Sequence, residues 1–160
     1  MLKVIFLDID GVVNDADWIV SQRDNCLLKG EQWTTDDAID PNRIEILNRI
    51  LVSTGAKVVI SSTWRCSSTP AQLKKHLSHF GFQGEIIGFT DDNDKSRFTQ
   101  ISDWIDNNSL IVDDFIILDD IAVIPDSLPK LQRFQHIVDD TVGLTNTDAD
   151  AIIARLVPIV

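Results

Sequence analysis

The chain has 160 residues, a length suited to one domain built on a single core. Its 44% apolar and 24% charged residues are ordinary for a soluble globular protein, and no apolar stretch approaches the ~20 residues needed to cross a bilayer. A formal net charge of -11 argues against broad electrostatic attraction to nucleic acid or to a membrane surface. The start, Met1-Leu2-Lys3, lacks the small-residue cleavage pattern of a secretory signal, and Cys26 and Cys66 fit no disulfide or metal spacing. Together these features predict a cytoplasmic protein with free thiols.

The first element is the most informative. Residues 3–8 form an apolar run with Val, Ile and Phe in it, as in a strand buried on both faces, and the run ends in Asp8-Ile-Asp10-Gly11. Period two points Asp8 and Asp10 to the same side at the strand end, where Gly11 lets the chain turn away. Two like charges so close repel, and burial raises the cost. Residues 14–40 hold Trp18, Arg23, Lys29 and Trp33 with weak periodicity; they read as a flap or small lid over the strand ends.

Asp40-Pro41 then starts a helix with Ile44, Leu47 and Leu51 inside. The second strand, 57–61, runs into Ser61-Ser62-Thr63-Trp64-Arg65, whose hydroxyls and following helix start can hold a phosphate oxygen, with Arg65 adding charge. Thr69-Pro70 with Gln72 makes a capping box for the next helix, which Gly81 closes. A third strand at 85–88 is followed by Asp94-Lys95-Ser96-Arg97, just before a helix at 96–107 with Ile101, Trp104 and Ile105 on one face. Lys95 or Arg97 can neutralise a substrate phosphate.

The fourth strand, 115–118, ends in Asp119-Asp120. Two acidic pairs at strand ends put up to four carboxylates, Asp8, Asp10, Asp119 and Asp120, around one point. Only a cation stabilises that arrangement, and hard oxygen ligands suit magnesium. A fifth strand at 135–138 and a helix capped by Thr147-Asp-Ala-Asp150, with Ile152, Ile153 and Leu156 inside, complete the chain. Strands alternating with helices predict an α/β, Rossmann-like fold. Its sheet is mostly parallel and five-stranded, with helices on both faces, no large cap, and the site beyond the carboxyl ends of the strands.

In order, these segments resemble the haloacid dehalogenase (HAD) superfamily of phosphotransferases over nearly the whole chain. Asp8-Ile-Asp10-Gly11-Val12 matches that superfamily's first motif, Ser62 (or Ser61) the hydroxyl of the second, Lys95 or Arg97 the cation of the third, and Asp119-Asp120 the acidic fourth. Phe6-Leu-Asp-Ile-Asp-Gly-Val-Val-Asn14, Ser61-Ser-Thr-Trp-Arg65, Ile117-Leu-Asp-Asp120 and Val142-Gly-Leu-Thr145 are similar, more narrowly, to the small HAD domains found beside RNA-repair modules. A glycine often follows the third-motif cation in such relatives, whereas Ser96 or Phe98 follows here.

The resemblance implies a magnesium-dependent phosphomonoesterase over residues 1–160. Asp8 is then the nucleophile and forms an aspartyl-phosphate, Asp10 is the general acid and base, and Ser62 with Lys95 (the favoured cation) stabilises transferring charge. Gly11, Ser61, Thr63, Arg65 and Arg97 are the expected substrate contacts. The metal ligands implied are Asp8, Asp119 or Asp120, and Asp10 through its backbone carbonyl. The expected substrate is a nucleotide or other phosphorylated small molecule, with its base held against Trp18 and Trp33, or else a nucleic-acid end. A non-catalytic module of the same fold and a phosphatase of sugar or metabolite phosphates are the alternatives. A response-regulator receiver needs a phosphorylated Asp at the end of the third strand, and none stands there.

Overall fold

The structure is a computed structural model that describes residues 2–34, 38–109 and 111–157. Residues 35–37 of the expected flap lie outside the described residues, as do Met1, Leu110 and 158–160. Five strands form one parallel sheet: β1 (Leu2–Leu7), β2 (Lys57–Ile60), β3 (Ile86–Phe89), β4 (Val112–Asp119) and β5 (Gln135–Ile137), in the order β3-β2-β1-β4-β5. The apolar run of residues 3–8 therefore takes the central position. It pairs with β2 on one side, Val4 against Lys57, and with β4 on the other, Val4 against Phe115.

Because neighbouring residues of a strand point to opposite faces, each buried run divides between two cores. Ile5, Leu7, Val58, Ile60, Ile116 and Leu118 face one cluster, and Val4, Phe6, Val59 and Ile117 the other. The first cluster is closed by α2 (Pro41–Thr54), α3 (Pro70–Ser78) and α5 (Asn146–Leu156), through Ile44, Leu47, Leu73, Leu77, Ile152 and Leu156. The second is closed by α4 (Arg97–Asn107), with Ile101 buried and Trp104 packed edge-on to Phe6 at 5.5 Å. Helices on both faces are what a fully parallel sheet requires.

Four local features depart from the sequence reading. Residues 16–29 are a regular helix, α1 (Ala16–Lys29), capped by Asp15 and ended by Gly30 at φ 71°. None of its residues is buried, which is why its apolar positions show no clear period. The strand β4 begins three residues earlier than its apolar run, at Val112. Its polar opening is neutralised by a bidentate pair between Asp114 and Arg155, both contacts 2.8 Å, and such charges in a strand hide its start. Helix α3 ends at Ser78, and Gly81, at φ 94°, completes the turn beyond it instead of closing the helix itself.

The fourth departure is the last cap. Thr145, not Thr147, is the N-cap of α5: its hydroxyl accepts from the Asp148 N–H at 3.2 Å, and Asp148 accepts from the Thr145 N–H at 2.8 Å. The pattern Thr-x-x-Asp occurs at both 145 and 147, and only burial of Ala149, Ile152 and Leu156 sets the register.

The loop after β1 is stitched down by backbone bonds, from the Asp40 N–H to the Val13 carbonyl (2.9 Å) and from the Leu144 N–H to the Val12 carbonyl (2.8 Å). Arg43 braces it, lying 3.4 Å from Asp15 and 3.5 Å from Asp40 and donating to the Leu144 carbonyl at 3.2 Å.

Removing a side-chain N-cap costs about 0.5–2 kcal/mol. Thr145→Ala should lower the unfolding free energy by about 1 kcal/mol in urea titration, and Thr147→Ala should change it little.

Candidate active site

The carboxyl ends of β1, β2 and β4 and the start of α4 meet at one point. Asp8 follows β1 and continues its ladder, donating its N–H to the Leu118 carbonyl at 2.9 Å. That bond fixes the carboxylate beside Asp119, the last residue of β4. Both side chains are buried, at 5% and 1% exposure, so their charges meet with little water between them. Carboxylate oxygens of Asp8, Asp119 and Asp120 all lie within 4.8 Å of one another.

One cation answers this charge from the protein itself. Arg97, the first residue of α4, has Nη1 3.3 Å from Asp8 and bonded to Asp119 Oδ2. Burial pushes the Asp8 carboxyl above the usual carboxylate range, an effect that Arg97 and a hydrogen bond from Ser62 only partly reverse. Asp119 is pushed up to about 6, by burial first and by the charge of Asp8 second. The guanidinium thus leaves the acidic group short of positive charge. Three converging hard oxygen donors with uncompensated charge fit a divalent cation such as magnesium.

Gly11 explains how Asp120 joins the cluster. It sits at φ 77°, where a side chain is strained, and a Cβ built there would meet Asp120 Oδ2 at 2.6 Å. The close approach of the β1 loop to Asp120 therefore needs a residue without a side chain.

Asp10 lies outside this buried group. The strand ends at Leu7, so the period-two argument does not extend to residue 10, and Asp10 is exposed. Its carboxylate is nonetheless held on both oxygens. Asn14 Nδ2 donates to Oδ1 at 3.1 Å and Trp64 Nε1 to Oδ2 at 3.0 Å, and Asn14 Oδ1 also accepts from the Gly11 N–H at 2.8 Å.

Of the second segment, Ser62 is buried and hydrogen-bonded to Asp8, while Ser61 is fully buried with its hydroxyl unpartnered. Thr63 is exposed at the start of a short 3-10 turn, Thr63–Ser67. Arg65 is directed into the protein. It donates to the Ser61 and Ser62 carbonyls at 2.8 and 2.7 Å and to Gln100 Oε1 at 3.0 Å. Gln100, itself buried, donates on to the Asn93 and Lys95 carbonyls. The guanidinium that reads as a phosphate contact in the sequence is a strut between the β2 loop and the start of α4.

Lys95 is exposed, and its Nζ lies 2.5 Å from Asp103 in the second turn of α4. Helix geometry separates it from Arg97: Ser96 is the N-cap, so Lys95 stands outside the helix while Arg97 is its first residue. Trp18 and Trp33 are half-buried, with indole nitrogens that lie buried without a hydrogen-bond partner. Sequence reasoning overlooked Asn14, Trp64 and Gln100. The first two stand inside segments already singled out for their carboxylates and hydroxyls, and their bonds to Asp10 depend on the loop paths.

A family model described as the HAD domain in Swiss Army Knife RNA repair proteins matches residues 4–149. Neither curated proteins nor solved structures give a match. The matched span opens within β1 and closes within α5, taking in the whole β3-β2-β1-β4-β5 order and both carboxylate-bearing loops. On that ground the chain belongs to the RNA-repair-associated HAD domains of the haloacid dehalogenase superfamily.

Proposed function

We propose that this protein is a magnesium-dependent phosphomonoester hydrolase that works through an aspartyl-phosphate on nucleotide or nucleic-acid-end phosphates. The observation that carries the reading is the buried Asp8, packed with Asp119 and Asp120 and sharing Arg97 with Asp119. Membership in a phosphatase-type superfamily associated with RNA repair supports both the chemistry and the substrate class. The single sheet and the extent of the match support one domain over 1–160. No helix among the described residues is long and apolar enough to cross a membrane. Two free cysteines, one exposed, suit a reducing cytoplasm.

In this reading an Asp8 oxygen attacks phosphorus while the ester P–O bond breaks and the leaving oxygen takes a proton from Asp10. Water then attacks the same phosphorus, gives its proton to Asp10, and the bond from phosphorus to Asp8 breaks to release phosphate. Ser62 donates to a phosphate oxygen, and Arg97 moves from the carboxylates toward the transferring charge. Lys95 has no part in these steps, since Asp103 holds its charge outside the cluster. Asp8, Asp119 and Asp120, with the Asp10 carbonyl, would hold the metal. When bound, magnesium supplies positive charge that offsets the carboxylates and the phosphate.

Asp8→Asn should abolish turnover on a nucleotide and leave the fold intact, with the metal-free melting temperature unchanged or higher because one buried charge is gone. Activity in a pure preparation, or a collapsed melting curve, would refute the assignment. Arg97→Ala should lower kcat/KM by about a hundredfold or more, as loss of a transition-state charge contact commonly does. Lys95→Ala should stay within a few fold of the native enzyme, and the reverse order would return the role to Lys95.

The raised carboxyls also set a pH dependence. An unfolded Asp titrates near ~3.9, whereas Asp119 in the fold titrates at about 6. Between these values the folded chain keeps a proton that the unfolded chain has lost, so this contribution favours the metal-free fold at low pH and is lost as pH rises through the window. In EDTA, the melting temperature of Asp119→Asn relative to the native protein should therefore climb from about pH 4 to about pH 6. At neutral pH, magnesium at a hundredfold excess over Kd should stabilise the native protein by about 2.7 kcal/mol, and Asp119→Asn should lose most of that gain.

A further inference from the structure

A cavity of about 590 Å³ lies between the turn at 63–68 and the first turns of α3. Trp64, Leu73 and His76 supply its apolar wall, and Ser67, Ser68 and Gln72 its hydrogen-bonding groups. No Asp, Glu, Lys or Arg lines it. Trp64 is packed against the main core, and its ring lies 5.9 Å from that of His76. The same indole donates its N–H to Asp10 at 3.0 Å. One side chain is thus both a wall of the cavity and an anchor of the carboxylate read above as the general acid.

We propose that this cavity is the leaving-group subsite, shaped for an uncharged planar ring with polar edges such as a nucleobase, and that Trp64 positions Asp10 for whatever occupies it. The inference rests on the role of Asp10 given above. A general acid must come within hydrogen-bond reach, ~2.6–3.2 Å, of the oxygen it protonates, so the leaving alcohol has to sit against Asp10. The cavity volume is that of a small-molecule site. A tryptophan face stacks any base, and serine and amide groups meet the base edge. Gln72 spends its Oε1 on the capping box, accepting from the Thr69 N–H at 2.8 Å, and its amide NH₂ remains available.

A second cavity, of about 450 Å³ at the start of α1, is lined by Asp15, Asp17 and Asp40 against one Arg43. Three carboxylates facing one guanidinium repel an anionic substrate. The cavity at Trp64, lined by no carboxylate, carries no such penalty.

The test uses the magnesium-supplemented protein with three phosphates: adenosine monophosphate, ethyl phosphate and p-nitrophenyl phosphate. Trp64→Phe keeps the ring and removes the donor. It should lower kcat on ethyl phosphate at least about tenfold relative to kcat on p-nitrophenyl phosphate, whose leaving group needs no proton. Ser68→Trp fills the cavity and should raise KM for the nucleotide about tenfold relative to that for ethyl phosphate. Adenosine alone, measured by calorimetry, should bind the native protein and not Ser68→Trp.

Equal losses on all substrates in Trp64→Phe would reduce Trp64 to a structural residue and overturn its positioning role. An unchanged nucleotide preference in Ser68→Trp, with no adenosine binding to the native protein, would overturn the subsite. Absence of turnover on all three phosphates with adenosine still bound would refute the phosphatase reading and leave the cavity as a nucleobase site.

Discussion

Everything in this molecule that bears on function follows from placing two buried carboxylates, Asp8 and Asp119, at the ends of adjacent central strands. Parallel pairing of β1 with β4 makes their ends coincide, so the register of an apolar sheet dictates where the charge collects. Burial keeps water from screening the pair, and Asp119 is held near 6 as a result. Such crowding persists only because the rest of the fold over-determines it. The last four residues of each strand are buried on both faces, and sliding either strand by one residue would turn its whole side-chain pattern over.

The surrounding loops divide the work of holding this group. Arg97 is the only cation bonded to the buried pair among the described residues, and α4 delivers it from the helix start. Arg65 and Gln100 lock that helix start to the loop bearing Ser62, so a hydroxyl and a guanidinium from different strand–helix units keep a common frame. Gly11 lets the β1 loop approach Asp120, and the bonds from Asp40 and Leu144 to Val13 and Val12 prevent that loop from lifting. Charge is gathered by the sheet, and its partners are aligned by the Arg65–Gln100 pair that stands behind them.

Strands β1 to β4 were legible because each carries a short apolar run that stops where polar residues begin, although the charged opening of β4 hid its start. Asp8 and Asp119 were legible because they adjoin those runs, so strand register brings them together, whereas Asp10 lies beyond the end of β1 and stays outside the group. Arg97 and Lys95 were not separable in the same way. Both precede the amphipathic stretch of α4, and which of them enters the helix turns on Ser96 taking the N-cap. The role of Arg65 was hidden for a related reason: a guanidinium beside a phosphate-binding turn has the same sequence signature whether it faces substrate or backbone carbonyls. Two overlapping Thr-x-x-Asp patterns offered two starts for α5, and tertiary burial alone chose Thr145.

Helix α1 stands apart from these constraints. It buries none of its residues, and Leu27 and Leu28 are 67% and 86% exposed. Its identity as a helix rests on an Asp15 cap and a left-handed Gly30, both local, and the core and the carboxylate cluster are complete without it. A segment with that status can accept substitutions, or change in length, at almost no cost to folding. Selection acting on what reaches the strand ends can therefore rewrite α1 freely, while the sheet and its charges stay under far tighter restraint.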